Sequence, residues 1–388
     1  MSVKNFRTFI AVIIALLGIP LSQLAAQADS AGFVFTTATH LDATPIKNQS
    51  KTGTCWSFAT SSFLESELLR MGKGEHDLSE MFVVRNIYPQ KALNYVQRHG
   101  SAQLGAGSLS GDMMRIAAEY GVVPEAVYNG KLAGYSEHNH QEMDAVLNSM
   151  LDAIVANKGK QLSKVWKKAV AAVLDAYLGE IPETFDYRGK TYTPKSFAVE
   201  LGFKTTDYIE LTSFSHHPFY SKFAVEIPDN WANNLYFNVP LDELMEAMDN
   251  ALENGYTVGW DGDVSEKTFN NKKGIAILPL IDWDDMTDKE QKSLFDAPSP
   301  EKDVTQALRQ EYFENYATTD DHLMHITGIT KDQNGTKYYI TKNSWGTKDR
   351  GHEGYVYMSE SYVRAKTISI LMHHDALPKS IGKKLAMR

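Results

Sequence analysis

One cysteine, Cys55, stands in the stretch NQSKTGTCWSF (48–58) of a 388-residue chain. Without a second cysteine it has no intramolecular disulfide to enter, so its sulfur is either a small buried apolar group or a nucleophile. From Cys55 onward Trp56, Ala59, Phe63 and Leu64 recur at helical spacing as far as Met71-Gly72, with Thr54 placed as N-cap and Gly72 as the stop. A thiol in the first turn of a helix meets free backbone N–H groups and the positive end of the helix dipole. With an imidazolium nearby, that setting lowers a thiol pKa from about 8.5 to roughly 3.5–7.5. The resulting thiolate attacks carbonyl carbon. It needs a base, a group that orients the base, and donors aimed at the oxyanion.

For the base, DDHLMHITGI offers His322 and His325, which point to opposite faces of a strand. A two-residue turn at Asn334-Gly335 pairs Gln333 with Thr336 and sets Asn343 opposite Ile326, on the face of Met324 and His322. An odd loop selects His325 instead. The Asn-Gly turn is even, which favours His322 and leaves His325 as a packed strand residue.

Gln49, Gly53-Thr54-Cys55-Trp56, Asp321-His322 and Asn343-Ser344-Trp345-Gly346, in that order, resemble the papain-type cysteine peptidases. The resemblance implies that Cys55 is the nucleophile and His322 its base and later acid. It implies that Asn343 holds the imidazole while Trp345 covers their hydrogen bond, and that Gln49 donates to the oxyanion beside the backbone N–H of Cys55. Trp56 and Asp321 are implied in support, and Gly107 and Ser108 of GAGSLSG (105–111) stand at the wall that receives the substrate backbone.

Cys55 and His322 lie much further apart than the roughly 130–150 residues usual in papain-type chains, which implies a large insertion. That spacing, with Leu78-Ser79-Glu80, EYGVVPE (119–125), NVPLDEL (238–244) and VGWDGDV (258–264), is similar to the bleomycin hydrolase and aminopeptidase C branch. The branch implies a papain-like α+β fold: a helical subdomain carrying the nucleophile, a β-barrel-like subdomain and a large, mostly helical insertion. It further implies peptide substrates, aminopeptidase activity, a possible homohexamer, and no cofactor or metal. In that branch a C-terminal arm lies in the cleft and limits cutting to the peptide N-terminus. The ending LPKSIGKKLAMR is expected to be shorter, and an arm that fails to reach the cleft would leave an endopeptidase.

The elements that must position these residues are legible as two blocks. Helices are expected from Cys55, at 79–98, at 111–120 ending at Gly121, and across 141–178 with a break near Lys158-Gly159. After an aromatic-rich middle, a helix runs from Pro240 to Gly255 and another from Asp303 through Asn315, flanking a polar excursion. YTVGW, HLMHITGIT, TKYYITK, GYVYMS and KTISILMHH read as strands. The expected division is a helical subdomain (29–125), an insertion (126–240) and a β-rich subdomain (241–388), an α+β architecture.

At the N-terminus, Lys4 and Arg7 precede FIAVIIALLGIPL, with Ala25, Ala26 and Ala28 following. That order reads as a secretory signal over 1–28, too short to span a membrane, and places the mature chain in the periplasm or outside the cell. An exported lone thiol is open to oxidation, so its presence calls for a chemical reason. With 43% hydrophobic and 22% charged residues the chain is globular, and its net charge of −9 argues against a nucleic-acid partner. GAGSLSG lacks the lysine of a phosphate-binding loop. His216-His217, His138 with His140, and His373-His374 lack zinc-protease spacing. Two rivals remain: a peptide-binding scaffold whose chemistry is lost, and an enzyme that makes amide bonds rather than cutting them.

Overall fold

The computed structural model of the protein describes residues 32–131, 135–159 and 161–387. The expected signal segment, 1–28, lies outside them. A first strand, β1 (Thr36–His40), leads to α1 (Cys55–Arg70), α2 (Glu80–Gln97), α3 (Ser110–Tyr120), α4 (Gln141–Val155) and α5 (Val165–Leu178). Next come the small hairpin β2 (Phe185–Tyr187) and β3 (Lys190–Tyr192), then α6 (Pro194–Leu201), β4 (Tyr208–Thr212), β5 (Lys222–Ala224) and β6 (Leu235–Asn238). The remainder comprises α7 (Leu241–Glu253), β7 (Val258–Gly262), β8 (Phe269–Asn270), β9 (Ile275–Ala276), α8 (Asp288–Ser293) and α9 (Gln306–Glu314). It ends with β10 (His322–Lys331), β11 (Lys337–Lys342), β12 (Tyr355–Ser359), α10 (Glu360–Lys366), β13 (Thr367–His373) and α11 (Lys379–Lys384).

Local signals set most boundaries. Ser79 caps α2 by accepting the Phe82 N–H, and α3 stops at Gly121, whose φ of 88° a side chain would resist. The cap of α9 is Thr305 rather than Asp303, its hydroxyl accepting from Leu308 N–H at 3.2 Å. Thr54 does stand at the cap position of α1 but makes no cap bond; its hydroxyl pairs with that of Thr52 at 2.6 Å.

One large sheet runs β5-β6-β4-β13-β7-β10-β11-β12-β9-β8, with β1 added on β10. The expected insertion is therefore helical only in its first part. Its aromatic-rich end, β4 to β6, extends the sheet beside β13, because strands of this composition find their hydrogen bonds on an open edge. Two large apolar cores result, with a small third cluster around Ile277 and Tyr338. Phe63, Leu68, Phe82, Met113 and Leu174 anchor the helical one, and Met248, Trp260, Met324, Tyr339 and Ile370 the other, beneath α7.

α1 lies between the cores, packed along β10. The expected one-sided helix is buried all round from Cys55 to Leu68. Its polar residues are small and satisfied: Ser57 Oγ donates to Glu80 O at 2.9 Å, Thr60 pairs with Ser110 at 3.0 Å, and Ser66 Oγ donates to Asp42 O at 2.9 Å. β10 is equally enclosed, buried along its whole length but for Lys331. Among the described residues no helix is long and apolar enough to cross a membrane.

Candidate active site

The start of α1 meets the start of β10. The backbone N–H of Leu323, the residue after His322, is aimed at the Cys55 sulfur. The register that selects His322 is reached differently from the expectation. β10 and β11 pair Lys331 with Lys337 across the odd-numbered loop 332–336, which by itself would present His325. A β-bulge between Ile326 and Gly328 shifts the pairing to Ile326 with Thr341 and His325 with Lys342. Continued by one residue, that register sets Asn343 opposite Met324, on the face of His322. His325 is fully buried on the other face, its Nδ1 bonded to Ser62 Oγ at 2.9 Å and its ring edge against Phe63.

His322 Nε2 and Asn343 Oδ1 are 2.8 Å apart. The amide orientation follows from a neighbour: the Ser344 backbone N–H can only donate, and it reaches the same Asn343 atom at 2.7 Å, so that atom is the oxygen. Nε2 of His322 must then carry the proton, and the lone pair of the neutral ring is on Nδ1. The Trp345 ring lies over the pair, its centroid 4.6 Å from that of His322.

Gln49 is carried by a short antiparallel bridge in which Gln49 N–H donates to Ser344 O at 2.8 Å and Gly346 N–H to Lys47 O at 3.1 Å. Its Oε1 accepts from Ser344 Oγ at 2.6 Å, and its Nε2 donates one N–H to Thr52 O at 2.8 Å. The second N–H is left, beside the helix start whose own first N–H groups have no intrahelical partner. Trp56, fully buried, donates Nε1–H to Ala106 O at 3.0 Å and so ties the 105–108 loop to α1. Asp321 accepts from Ser265 N–H at 3.2 Å and Thr319 Oγ1 at 3.0 Å, and its charge favours protonated His322.

Of the two expected wall residues, Gly107 is half-buried with the Asp229 carboxylate against it. Ser108 is 1% exposed and turned inward, accepting from Trp231 Nε1 at 2.8 Å and bonded to Asp112, where it helps to start α3. The reason is local: two acceptors and donors buried beneath the loop need its hydroxyl.

Burial pushes the Cys55 thiol up to about 12, helped by the negative charges of Asp320, Asp229 and Asp261 and opposed by the Leu323 N–H. Burial likewise holds His322 down to about 4, opposed by its bond to Asn343 and by Asp321. Burial thus favours the uncharged form of each group, the thiol of Cys55 and the neutral imidazole of His322.

Asp229, Asp261 and Asp320 were not singled out from the sequence. They lie far apart along the chain, although Asp261 is in the VGWDGDV stretch and Asp320 opens the acidic doublet before His322. Glu226 was also missed. It bonds His216 and His217 at 3.0 and 2.6 Å, and this trio, like His373, His374 and Asp375, brings its ligand atoms within 4.8 Å.

The peptidase C1-like family profile matches residues 107–388, well over half of the chain. The chain belongs to the peptidase C1-like family. A second profile, the papain family cysteine protease, matches residues 35–178. "Aminopeptidase C" of Lactococcus lactis subsp. lactis (strain IL1403) is 24% identical over 377 residues, covering 86% of this chain and 81% of its own. "Aminopeptidase E" of Lactobacillus helveticus is 24% identical over 386 residues, covering 88% and 83%. The crystal structure of pepW from Lactobacillus rhamnosis HN001 superposes with a TM-score of 0.68 at 20% identity, over 90% of this chain and 84% of that one. At that identity the likeness is one of fold, and the fold is the papain-like α+β arrangement expected from the sequence. Membership makes the chain a C1-like cysteine peptidase by family, with aminopeptidase C as its distant kin.

Proposed function

We propose that the chain is an exported cysteine aminopeptidase that cuts peptide bonds through a thioester. The observation that carries this reading is the 2.8 Å bond from His322 Nε2 to Asn343 Oδ1. It fixes the tautomer that leaves Nδ1 of His322 free to act as a base, and Cys55 stands at the head of a buried helix. In the first half-reaction the thiol proton passes to Nδ1 as the sulfur adds to the peptide carbonyl carbon. The oxyanion takes N–H donors from the Cys55 backbone and Gln49. His322 then returns the proton to the leaving nitrogen, and the C–N bond breaks. In the second, His322 removes a proton from water, the oxygen attacks the thioester carbon, and the C–S bond breaks with the thiol restored. The aminopeptidase relatives support cutting at the peptide N-terminus, and the basic, apolar and small residues of 1–28 support export.

The test is a defined peptide and its N-acetylated twin, incubated with the purified chain and with Cys55→Ala. The parent is expected to release the first residue of the free peptide only, and the variant to lose at least about 10³-fold in rate, the scale of nucleophile deletions. Retained hydrolysis in Cys55→Ala sinks the reading. Cleavage of both peptides inside the chain replaces exopeptidase by endopeptidase.

A further inference from the structure

We propose that Asp229 and Asp320, with Asp261 behind them, seat the α-ammonium group of the peptide being cut and so confine cleavage to the first peptide bond. The proposal rests on Cys55 being the nucleophile. In a peptide the α-nitrogen is two bonds from the carbonyl carbon that the sulfur attacks, so an N-terminal ammonium must sit close to that sulfur. The charges that reach the Cys55 sulfur are those of Asp320, Asp229 and Asp261, in that order.

Asp229 comes from the far end of the insertion and lies directly over Gly107, where a Cβ would fall inside its carboxylate. Gln103 Nε2 holds it there at 3.0 Å. Gly107 stands in the expected substrate wall, and with Asp229 on it that stretch is closed to a longer upstream chain. A carboxylate thus stands where the substrate's next residue would otherwise lie.

The group is also short of positive charge. Asp261 is 2% exposed, and its Oδ1, like Asp320 Oδ2, has no donor among the described residues. The Tyr236 hydroxyl, on a fully buried side chain within reach of the Asp261 and Asp320 charges, is likewise without a partner. The charge of Lys91 reaches Asp229 and lowers its pKa against burial, but two of the three Lys91 N–H groups go to the carbonyls of Gly105 and Gly107, and no ion pair joins Lys91 to Asp229 among the described residues. Gathering like charges out of water without an ion pair is unfavourable, and a fold retains such a group only for a reason. In the resting protein the two facing carboxyls share a proton, with Asp261 pushed well up and Asp320 to about 7, by burial first and then by the neighbouring acids. An arriving ammonium displaces that proton to solvent. The same positive charge offsets the carboxyls that hold the Cys55 thiol up. Asp320 also lines a groove of about 420 Å³ beside Ile227, Pro228 and Phe313, so its side of the group reaches solvent.

The experiment uses the full chain, leucine 7-amido-4-methylcoumarin and its N-acetyl twin, with Asp229→Asn and Asp320→Asn as variants. Cys55 is counted by iodoacetamide titration, and folding is checked by circular dichroism. A charge-assisted hydrogen bond is worth about 1.5–3 kcal/mol, so each variant should raise KM for the free amine by roughly 10–100-fold. Turnover of the acetylated twin should stay the same or improve. Equal losses on both substrates, or no change on the free amine, overturn the ammonium seat. A parent that cleaves both alike, with silent variants, overturns the seat and leaves the peptidase reading intact. A parent that titrates fully yet cleaves neither overturns both.

Discussion

Two groups of buried charge flank the head of α1, one behind it and one in front. Behind, Lys47 Nζ lies 2.6 Å from Glu80 and 3.3 Å from Glu65, and Lys342 Nζ donates to Ser62 Oγ at 2.7 Å and Thr44 Oγ1 at 3.1 Å, Thr44 in turn bonding Glu65. Cations and anions alternate, and the cavity they enclose, about 20 Å³, has room for one water. In front, Asp229, Asp261 and Asp320 gather with no ion pair of their own among the described residues. Burial acts on both groups alike. The rear one is neutralised within the fold and fixes where α1 sits against α2 and β11. The front one is left unbalanced, which is what a site for a cationic ligand requires.

The contrast breaks first at Glu65. It is 1% exposed in its side chain and accepts the Leu78 N–H at 2.8 Å as well as Lys47. Glu65→Ala strands buried donors on both sides, and deletion of one partner in such a setting costs about 3–5 kcal/mol. Urea unfolding of the variant should show that loss. A change below about 1 kcal/mol would mean the rear group is not holding the helix, since even an ordinary buried hydrogen bond contributes that much.

Asp320→Asn should move stability the other way. The Asp320 carboxyl is raised from 3.8 to about 7 in the folded chain, by burial and then by Asp229, with Asp321 adding and Asp261 opposing. Between those two pH values the folded chain binds a proton that the unfolded chain has shed, so this group's contribution to stability falls as pH climbs from about 4 to about 7. His322, held down to about 4, has the opposite slope between about 4 and 6.5. Only a difference curve between variant and parent isolates Asp320. That curve should be flat near pH 4 and favour the variant by about 2 kcal/mol at pH 8, discounted from the full linkage value because Asp261 shares the proton. Equal stability at both pH values would mean the front carboxyls are solvated like any others.

The difference between the two groups also explains what the sequence made legible. Cys55, His322, Asn343, Gln49 and Trp345 stand out in the sequence because their residue types fall in short motifs in a fixed order. Periodicity and caps mark α1 to α5, α7, α9 and the four late strands, but not the short helices α6, α8, α10 and α11. Register was another matter: the Asn334-Gly335 turn suggested an even hairpin, the loop is odd, and an unforeseen bulge near Thr327 restores the face. Parity reasoning cannot see a bulge, because inserting one residue leaves composition unchanged. The strands β4 to β6 were missed as part of the sheet since their partner, β13, lies far along the chain. The front carboxyls were missed for the same reason: Asp229, Asp261 and Asp320 come from three segments that only tertiary packing unites.

The finest probe of the contrast is Ser369, whose Oγ donates to Asp261 Oδ2 at 3.1 Å. This hydroxyl is what lowers the Asp261 pKa against burial, Asp320 and Asp229, with Tyr236 facing the same group and Cys55 within reach of its charge. Ser369→Ala removes one neutral hydrogen bond, about 0.5–1.5 kcal/mol, or at most about one pKa unit. The shared proton is then held to a higher pH. For a free-amine substrate, KM falls as the pair ionises, so the acid limb of its pH profile should move upward by less than about one unit, with kcat unchanged. The kcat profile of the same substrate is read with the ammonium already seated, and it should stay where it is. An upward shift shared by kcat and KM would place the titration on His322 instead, and the front group would then be only another piece of the scaffold.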